Sequence, residues 1–323
     1  MILKSKGVFV EWQWQEIEYI MQSSTEKEAS KMHFSSDINR PPYEAKDGFL
    51  QVTSGCSHGR CEFCTFYKDA PFRISPMDEI KEDIDELSRY GWNFDRIYLQ
   101  GADPFILPFG MLKEIAEYIY EKIPEVKTIG GYARVDNLKN KSVEELRQLH
   151  ELGYSNFYFG NESGDDYILK RMNKGYEAHT VVDMLKKLDE AGMPYIMNFL
   201  GGLGGHGYGD SHAVKSAEVI NKLHPSMVYA SELTLFPDTP LSRDLREGKF
   251  TEATEQERFE ELRTLIENIS IPTVFKAEHV TLPAPIRGRL PEDKEDMLSY
   301  LDNLIEAAKK GAFDNYRSRV VGL

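Results

Sequence analysis

Three cysteines, Cys56, Cys61 and Cys64, stand within nine residues in GCSHGRCEFC, and the chain has no other thiol. A 323-residue chain with that cysteine usage has no disulfide framework. Three thiolates at x4 and x2 spacing can hold one metal centre and leave a coordination position open, which catalytic metal chemistry needs. Two centres fit. A zinc ion would recruit His58, inside the loop, as a fourth ligand. A 4Fe–4S cluster would take the three thiolates and keep one iron free. The surroundings favour the cluster. Phe49 to Thr53 reads as a short buried strand, and Gly55 lets the chain turn tightly after it. A loop at that end of a first strand lies on the face where α/β barrels build their active sites. His58 is then a loop residue over the centre, and Phe63 shields it and packs against a bound cofactor.

The elements that must position this loop alternate from Gly48 onward. Strands are expected at 49–53, 96–100, 127–130, 156–160, 195–200 and 228–235. Ser75 and Pro76 cap and open a helix running to Tyr90. Further helices are expected at 108–122, from the Ser142–Glu145 capping box to Gly153, and at 178–191 before Gly192. Three more cover 211–223, 255–268 and 291–309. Six βα units in series imply parallel strands with right-handed crossovers. The expected fold is α/β, a partial (β/α)6 TIM-like barrel over residues 46–270. A helical preface precedes it over 1–45, with a mostly polar helix from Trp12 to Met32. A C-terminal extension over 271–323 follows, its final helix closing the barrel. The proline-rich run Thr281–Arg289 is expected to fold over the open side of the barrel as a lid or plug.

Charge narrows the substrate. Asp and Glu number 53 against 39 Lys and Arg, a net charge of −14, and no basic run occurs. Such a chain repels polyanions, so a nucleic-acid substrate is disfavoured and a small molecule expected. The N-terminus lacks the apolar core of a signal peptide and no stretch suggests a membrane span. Reduced thiols and an oxygen-sensitive centre imply a cytoplasmic, anaerobic setting.

The strand ends resemble those of the radical S-adenosylmethionine (SAM) superfamily. Its usual loop is Cys-x3-Cys-x2-Cys with an aromatic before the third cysteine; here the first gap is one residue longer. Gly101-Ala102-Asp103-Pro104 stands where the family has Gly-Gly-Glu-Pro, which implies that Gly101, Ala102 and Asp103 meet the SAM amino group. Arg134 stands where related enzymes meet the SAM carboxylate, a task its planar fork suits; an Arg134–Asp136 pair is the competing reading. Gly160-Asn161-Glu162-Ser163-Gly164, continuing to Met172-Asn173-Lys174-Gly175, is similar to a signature of one branch. That branch contains the tRNA methylthiotransferases, the elongator acetyltransferase and anaerobic coproporphyrinogen dehydrogenase, and the resemblance implies that Glu162 contacts SAM. It further implies that Asn198 faces the ribose, that Gly201 lets the backbone approach SAM, and that Leu235 and Phe236 border the adenine. The implied cofactors are a 4Fe–4S cluster and SAM, with an electron donor such as flavodoxin or ferredoxin as partner.

The substrate is the thinnest part of the reading. Without further cysteines there is no auxiliary cluster, which argues against sulfur insertion. Among stand-alone forms the chain resembles the queuine lyases, which implies cleavage of the C–N bond of queuine to give 7-aminomethyl-7-deazaguanine. A deazaguanine needs carboxylates, aromatic faces and hydrogen-bonding groups. Asp136, Glu232 and Asp238 are the candidate carboxylates; Tyr67, Phe105, Tyr132, Tyr158 and Phe236 are the candidate aromatics. An anaerobic porphyrinogen decarboxylase would instead cluster Arg60, Arg73, Arg134, Arg287 and Arg289 at the barrel mouth. A non-catalytic Fe–S or metal carrier would bind the centre without cleaving SAM.

Overall fold

The computed structural model describes residues 32–68, 70–89 and 94–320. Its strands are β1 (Gly48–Gln51), β2 (Thr53–Ser54), β3 (Arg73–Ile74), β4 (Arg96–Gln100), β5 (Thr128–Ala133), β6 (Phe157–Glu162), β7 (Tyr195–Gly201), β8 (Met227–Glu232), β9 (Thr273–Ala277) and β10 (Ile286–Leu290). The main sheet has the order β1-β4-β5-β6-β7-β8-β9-β10. Every neighbouring pair from β1 to β9 is parallel, and β10 runs antiparallel beside β9. This is the partial α/β barrel expected, with more strands than expected.

Alternation along each strand sorts side chains between two apolar faces, as buried parallel strands require. Leu50, Leu99, Phe157, Phe159, Met197 and Val228 face the helices and form the main core with residues such as Ile84, Ile115, Leu146, Leu185 and Leu262. Phe49, Tyr98, Tyr132, Tyr158, Ile196 and Tyr229 form a separate inner cluster. Register keeps that inner layer level: Tyr132 lies opposite Tyr158, and Tyr158 opposite Ile196. Helix ends follow their caps. Ser142 and Glu145 form the capping box of helix Val143–Glu151, and Gly192 ends helix Ala178–Ala191 at φ 71°.

All six expected strands are present. The sixth stops at Glu232 rather than Leu235, because Pro237 and the Thr239 cap turn the chain into helix Pro240–Arg246. Two strands lie beyond residue 270, so the sheet continues into the C-terminal extension. The run expected as a lid is instead built into the sheet. Its end, Ile286–Leu290, is the edge strand β10, and Thr281 Oγ1 accepts a hydrogen bond from Glu232 N at 2.9 Å. The helix expected at 12–32 falls, but for Met32, outside the described residues. The remainder of the preface crosses the molecule. Ser35 N and Asn39 N donate to the side-chain oxygens of Gln51 (2.9 Å) and Gln100 (3.2 Å). Glu44 pairs with Arg96 at 2.9 Å, and the Tyr43 hydroxyl donates to Glu278 just past β9. The preface thereby ties β4 to the far side of the sheet.

Candidate active site

β1 delivers the cysteine loop. Thr53 and Ser54 pair with Ile74 and Arg73, and Gly55 turns at φ 66°. A Cβ on Gly55 would lie 2.5 Å from Ala70 O, so the turn requires glycine. Cys56, Cys61 and Cys64 are unbridged and half-buried. They line one small hollow with Gly59, Arg60, Tyr67 and Lys68. Burial pushes the Cys64 thiol up to about 11 and the Cys56 thiol upward, although Gly59 N–H donates to Cys56 Sγ at 3.4 Å. Bare thiolates are therefore disfavoured, and a cationic centre is what would hold them deprotonated. Among the described residues no three His, Cys, Asp or Glu side chains converge closely enough to hold a single metal ion. His58 Nε2 lies 2.6 Å from Asn173 O, engaged away from the thiols. The zinc reading loses its fourth ligand. Three thiols around a shared hollow fit a larger cluster with one iron free.

The other strand ends close around this loop. After β4, Gly101 turns at φ 110° against Thr53, Ala102 N donates to Gly55 O at 3.2 Å, and buried Asp103 accepts from Ser57 N at 3.3 Å and from the Ser57 hydroxyl. Asp103 thus braces the cysteine loop from below. After β5, Arg134 is buried with its fork spent on Asp136, at 2.9 and 3.1 Å, and on Lys174 O at 3.0 Å. Asp136 is committed to this pair, which is not the surface pair expected, since Arg134 is buried.

At the end of β6 the register against β7 shifts between Phe159 and Glu162, and Glu162 takes φ 63°. A left-handed conformation in a non-glycine residue stores strain of about 1–3 kcal/mol, typical of functional positions. Gly160 leaves room for the bent-back side chain, since a Cβ there would lie 2.7 Å from Glu162 Oε1. Lys174 Nζ sits 3.3 Å from that oxygen and 2.8 Å from Gly160 O, with the Phe63 and Tyr176 rings alongside. Burial opposes its charge, but the Tyr176 phenol, Glu162 and Cys61 outweigh burial and hold it protonated. Lys174 has no role in the sequence reading beyond its place in the signature. The fold makes it the buried cation beside both Glu162 and the cysteine loop.

Phe63, Leu200 and Leu235 pack together against Ile168, Met172, Leu203 and Leu233, an apolar wall beside the cysteines. Phe236 is half-buried, and its carbonyl accepts from the Thr239 hydroxyl at 3.0 Å. Gly201 and Gly202 have a structural reason of their own. A Cβ on Gly201 would lie 2.4 Å from Glu232 Oε1, and one on Gly202 2.3 Å from Arg258 Nη1. Glu232 pairs with the buried Arg258 at 2.9 Å and is taken from the candidate substrate set. Phe105 leaves it too, because its ring packs in the outer core 4.5 Å from Phe157. Asp238 is exposed on the loop after β8.

Tyr132 and Tyr158 do reach the inner face, and Tyr98 and Tyr229, not anticipated, complete the layer. The hydroxyls of Tyr67, Tyr98 and Tyr229, with Gln100 Nε2, Asn198 Oδ1 and Thr234 Oγ1, are buried with no hydrogen-bond partner. Burying such groups unpaired costs about 1–3 kcal/mol each, so this interior is built to receive a ligand or ordered water.

A family model described as the radical SAM superfamily matches residues 50–220. The chain belongs to this superfamily. Its cofactors are a 4Fe–4S cluster and SAM. It is 23% identical over 249 residues to the threonylcarbamoyladenosine tRNA methylthiotransferase MtaB of Thermotoga maritima, covering 73% of this chain and 56% of that protein. It is 24% identical over 202 residues to the heme chaperone HemW of Bacillus subtilis, covering 60% of this chain and 52% of that one. The chain thus spans about half the length of these curated relatives. Among solved structures, the cobalamin-dependent SAM radical enzyme OxsB aligns with TM-score 0.53 at 16% identity, over 80% of this chain and 46% of that one. The methyltransferase TsrM of Kitasatospora setae aligns with TM-score 0.51 at 16% identity, over 62% of this chain and 39% of that one. These likenesses show the fold. Among the described residues no helix is long and apolar enough to cross a membrane.

Proposed function

We propose that this radical SAM enzyme directs its chemistry at a small, ring-bearing metabolite held against the tyrosine layer, with queuine as the specific candidate substrate. The observation that carries this reading is the inner face itself: four strand tyrosines, with Tyr67 entering from the cysteine loop, and buried polar atoms left unpartnered. When bound, the cluster and SAM supply a 5′-deoxyadenosyl radical that takes a hydrogen atom from the substrate. Cys56, Cys61 and Cys64 would hold the cluster. Lys174 and Glu162 form an ion pair suited to the charged head or ribose hydroxyls of SAM, and Asp103 fixes the loop whose thiols would hold the cluster. Phe63 and Leu235, part of the apolar wall, would exclude water from the bound cofactor. The tyrosine hydroxyls, Gln100 and Asn198 would orient a heterocycle by hydrogen bonds and its plane by aromatic contact.

The porphyrinogen reading asked for clustered arginines. Arg60, Arg73, Arg287 and Arg289 are exposed, and Arg134 is spent on Asp136. A cofactor-chaperone reading rests on the likeness to HemW and predicts metal binding without SAM cleavage. Titrating queuine into the SAM-loaded protein in a calorimeter separates the substrates. Heat of binding that weakens in Tyr98→Phe and Tyr229→Phe supports queuine. SAM binding with no queuine signal overturns it.

A further inference from the structure

The inner tyrosines form a line as well as a layer, and the line leads out of the site. At its inner end Tyr67 borders the cysteine hollow, its hydroxyl buried and within electrostatic reach of Cys56, Cys64 and Tyr132. Tyr132 meets Tyr158 with ring centroids 6.0 Å apart, Tyr158 meets Tyr229 at 6.2 Å, and Tyr229 meets Tyr43 at 6.1 Å. Tyr98 flanks the line, 5.7 Å from Tyr132. Tyr43 is 42% exposed and opens into a cavity of about 510 Å³ bordered by Arg96, Thr128 and Met227, the first residues of β4, β5 and β8. The line thus crosses the barrel, from the strand ends that carry the cysteine loop to the opposite ends. Packing alone does not call for phenols here. Edge-to-face rings gain about 0.5–1.5 kcal/mol per pair with or without a hydroxyl. The hydroxyls of Tyr67, Tyr98 and Tyr229 are buried without partners, at a cost of about 1–3 kcal/mol each that phenylalanine would avoid. A substrate at the inner layer would use some of them, but not the exposed phenol of Tyr43, which donates to Glu278.

We propose that this line of tyrosines is an escape path, which carries a radical that meets no substrate out to Tyr43. The proposal rests on membership of the radical SAM superfamily and not on queuine. A phenol O–H bond is weaker than the C–H bond that a primary carbon radical forms. Tyr67 or Tyr132 can therefore give such a radical one hydrogen atom: the O–H bond breaks, a C–H bond forms and a phenoxyl radical remains. Each phenoxyl is restored by one electron and one proton from the next phenol outward. A net hydrogen atom moves inward and the radical moves outward. Glu278 makes Tyr43 the easiest of the line to oxidise, because a carboxylate hydrogen-bonded to a phenol stabilises the positive charge that develops as the electron leaves. Lys276 Nζ, 4.1 Å over the same ring, opposes this without a direct bond to the phenol oxygen. At the exposed ring a small hydrogen-atom donor, such as ascorbate or a thiol, restores the Tyr43 O–H bond and leaves as its own radical.

The test follows the radical by electron paramagnetic resonance. Cluster-loaded protein is reduced photochemically, given SAM without substrate, and frozen at intervals with and without ascorbate. The expected result is an organic radical whose hyperfine structure collapses in protein grown on ring-deuterated tyrosine. Ascorbate should discharge it at least roughly tenfold more slowly in Tyr43→Phe and Glu278→Gln than in the wild type. Tyr300→Phe, which removes an exposed tyrosine off the line, should behave as the wild type does. 5′-Deoxyadenosine, measured alongside, should form equally in all four proteins. A tyrosyl radical that ascorbate discharges at one rate in all four would overturn the escape path, and so would 5′-deoxyadenosine formed with no tyrosyl radical. Absence of 5′-deoxyadenosine from every sample would instead contradict the cofactor chemistry, and this proposal with it.

Discussion

Two buried charged clusters lie at the strand ends of this molecule, and they differ in what they leave open. Behind β7 and β8, Arg258 reaches Glu232 at 2.9 Å and Glu252 at 2.8 Å, while Glu261 holds His212 at 2.6 Å and Gly202 N at 2.6 Å. Around β6, Lys174, Glu162 and Arg134 gather beside three unbridged thiols, with Glu162 in a strained conformation. Perturbed acidity alone would choose the wrong one. Burial pushes Glu232 up to about 8 against the pull of Arg258, a shift that often marks a functional carboxylate. Yet its neighbours are glycines cut to fit it, and it braces the sheet. What distinguishes the β6 cluster is its setting: the left-handed backbone of Glu162 and the three-thiol loop beside it.

The comparison can be broken in order of effect. Cys61→Ala should abolish the 4Fe–4S absorbance and all SAM cleavage; a full cluster signal in that variant would remove the ligand assignment. Arg258→Met should leave Glu232 buried without its partner, lowering unfolding free energy by about 3–5 kcal/mol in a denaturant titration. The SAM affinity of the molecules that remain folded should not move. Lys174→Met should do the reverse: SAM affinity, read by titration, weakens roughly ten- to hundredfold through loss of a charge-assisted contact, with stability changed less. Were the two variants to swap behaviours, the assignment of one cluster to structure and the other to chemistry would fail.

The smallest effect concerns pH. Buried Lys141 donates to Phe105 O at 2.6 Å and Leu107 O at 2.8 Å, holding the turn after Asp103. Burial lowers its pKa from 10.5 to about 8. The unfolded chain therefore binds more protons between those values, so this residue's contribution to stability rises with pH across that window and is lost as pH falls through about 8. Lys141→Met should flatten the difference in unfolding free energy between the two ends of the window; an unchanged slope would show that Lys141 does not titrate there.

Much of the site is legible in the sequence because its signals are local. The cysteine spacing, Gly55 and the run from Gly160 to Gly175 sit on contiguous residues, and the six strands betray themselves by short apolar runs between caps. What escaped is set by distance. The left-handed φ of Glu162 follows from a register shift against β7, which no local pattern records. Tyr98 and Tyr229 acquire meaning only when parallel register levels them with Tyr158. Phe105 leaves the inner face because the turn Pro104–Ile106 sends its ring outward, against Tyr154, Phe157 and Phe159. β9 and β10 carried the period of strands, Thr273, Phe275 and Ala277 being buried in alternation. The prolines at 283 and 285 and the exposed Arg287 and Arg289 suited an edge strand as well as the lid expected.

The measurement that tests the central claim most directly is made without oxygen. Cluster-loaded protein receives SAM, reductant and queuine, and 5′-deoxyadenosine and 7-aminomethyl-7-deazaguanine are followed by mass spectrometry. The account predicts both products, the second only when SAM is present, and neither from Cys61→Ala. 5′-Deoxyadenosine with queuine untouched would contradict the substrate, and a full cluster that never cleaves SAM would contradict the enzyme.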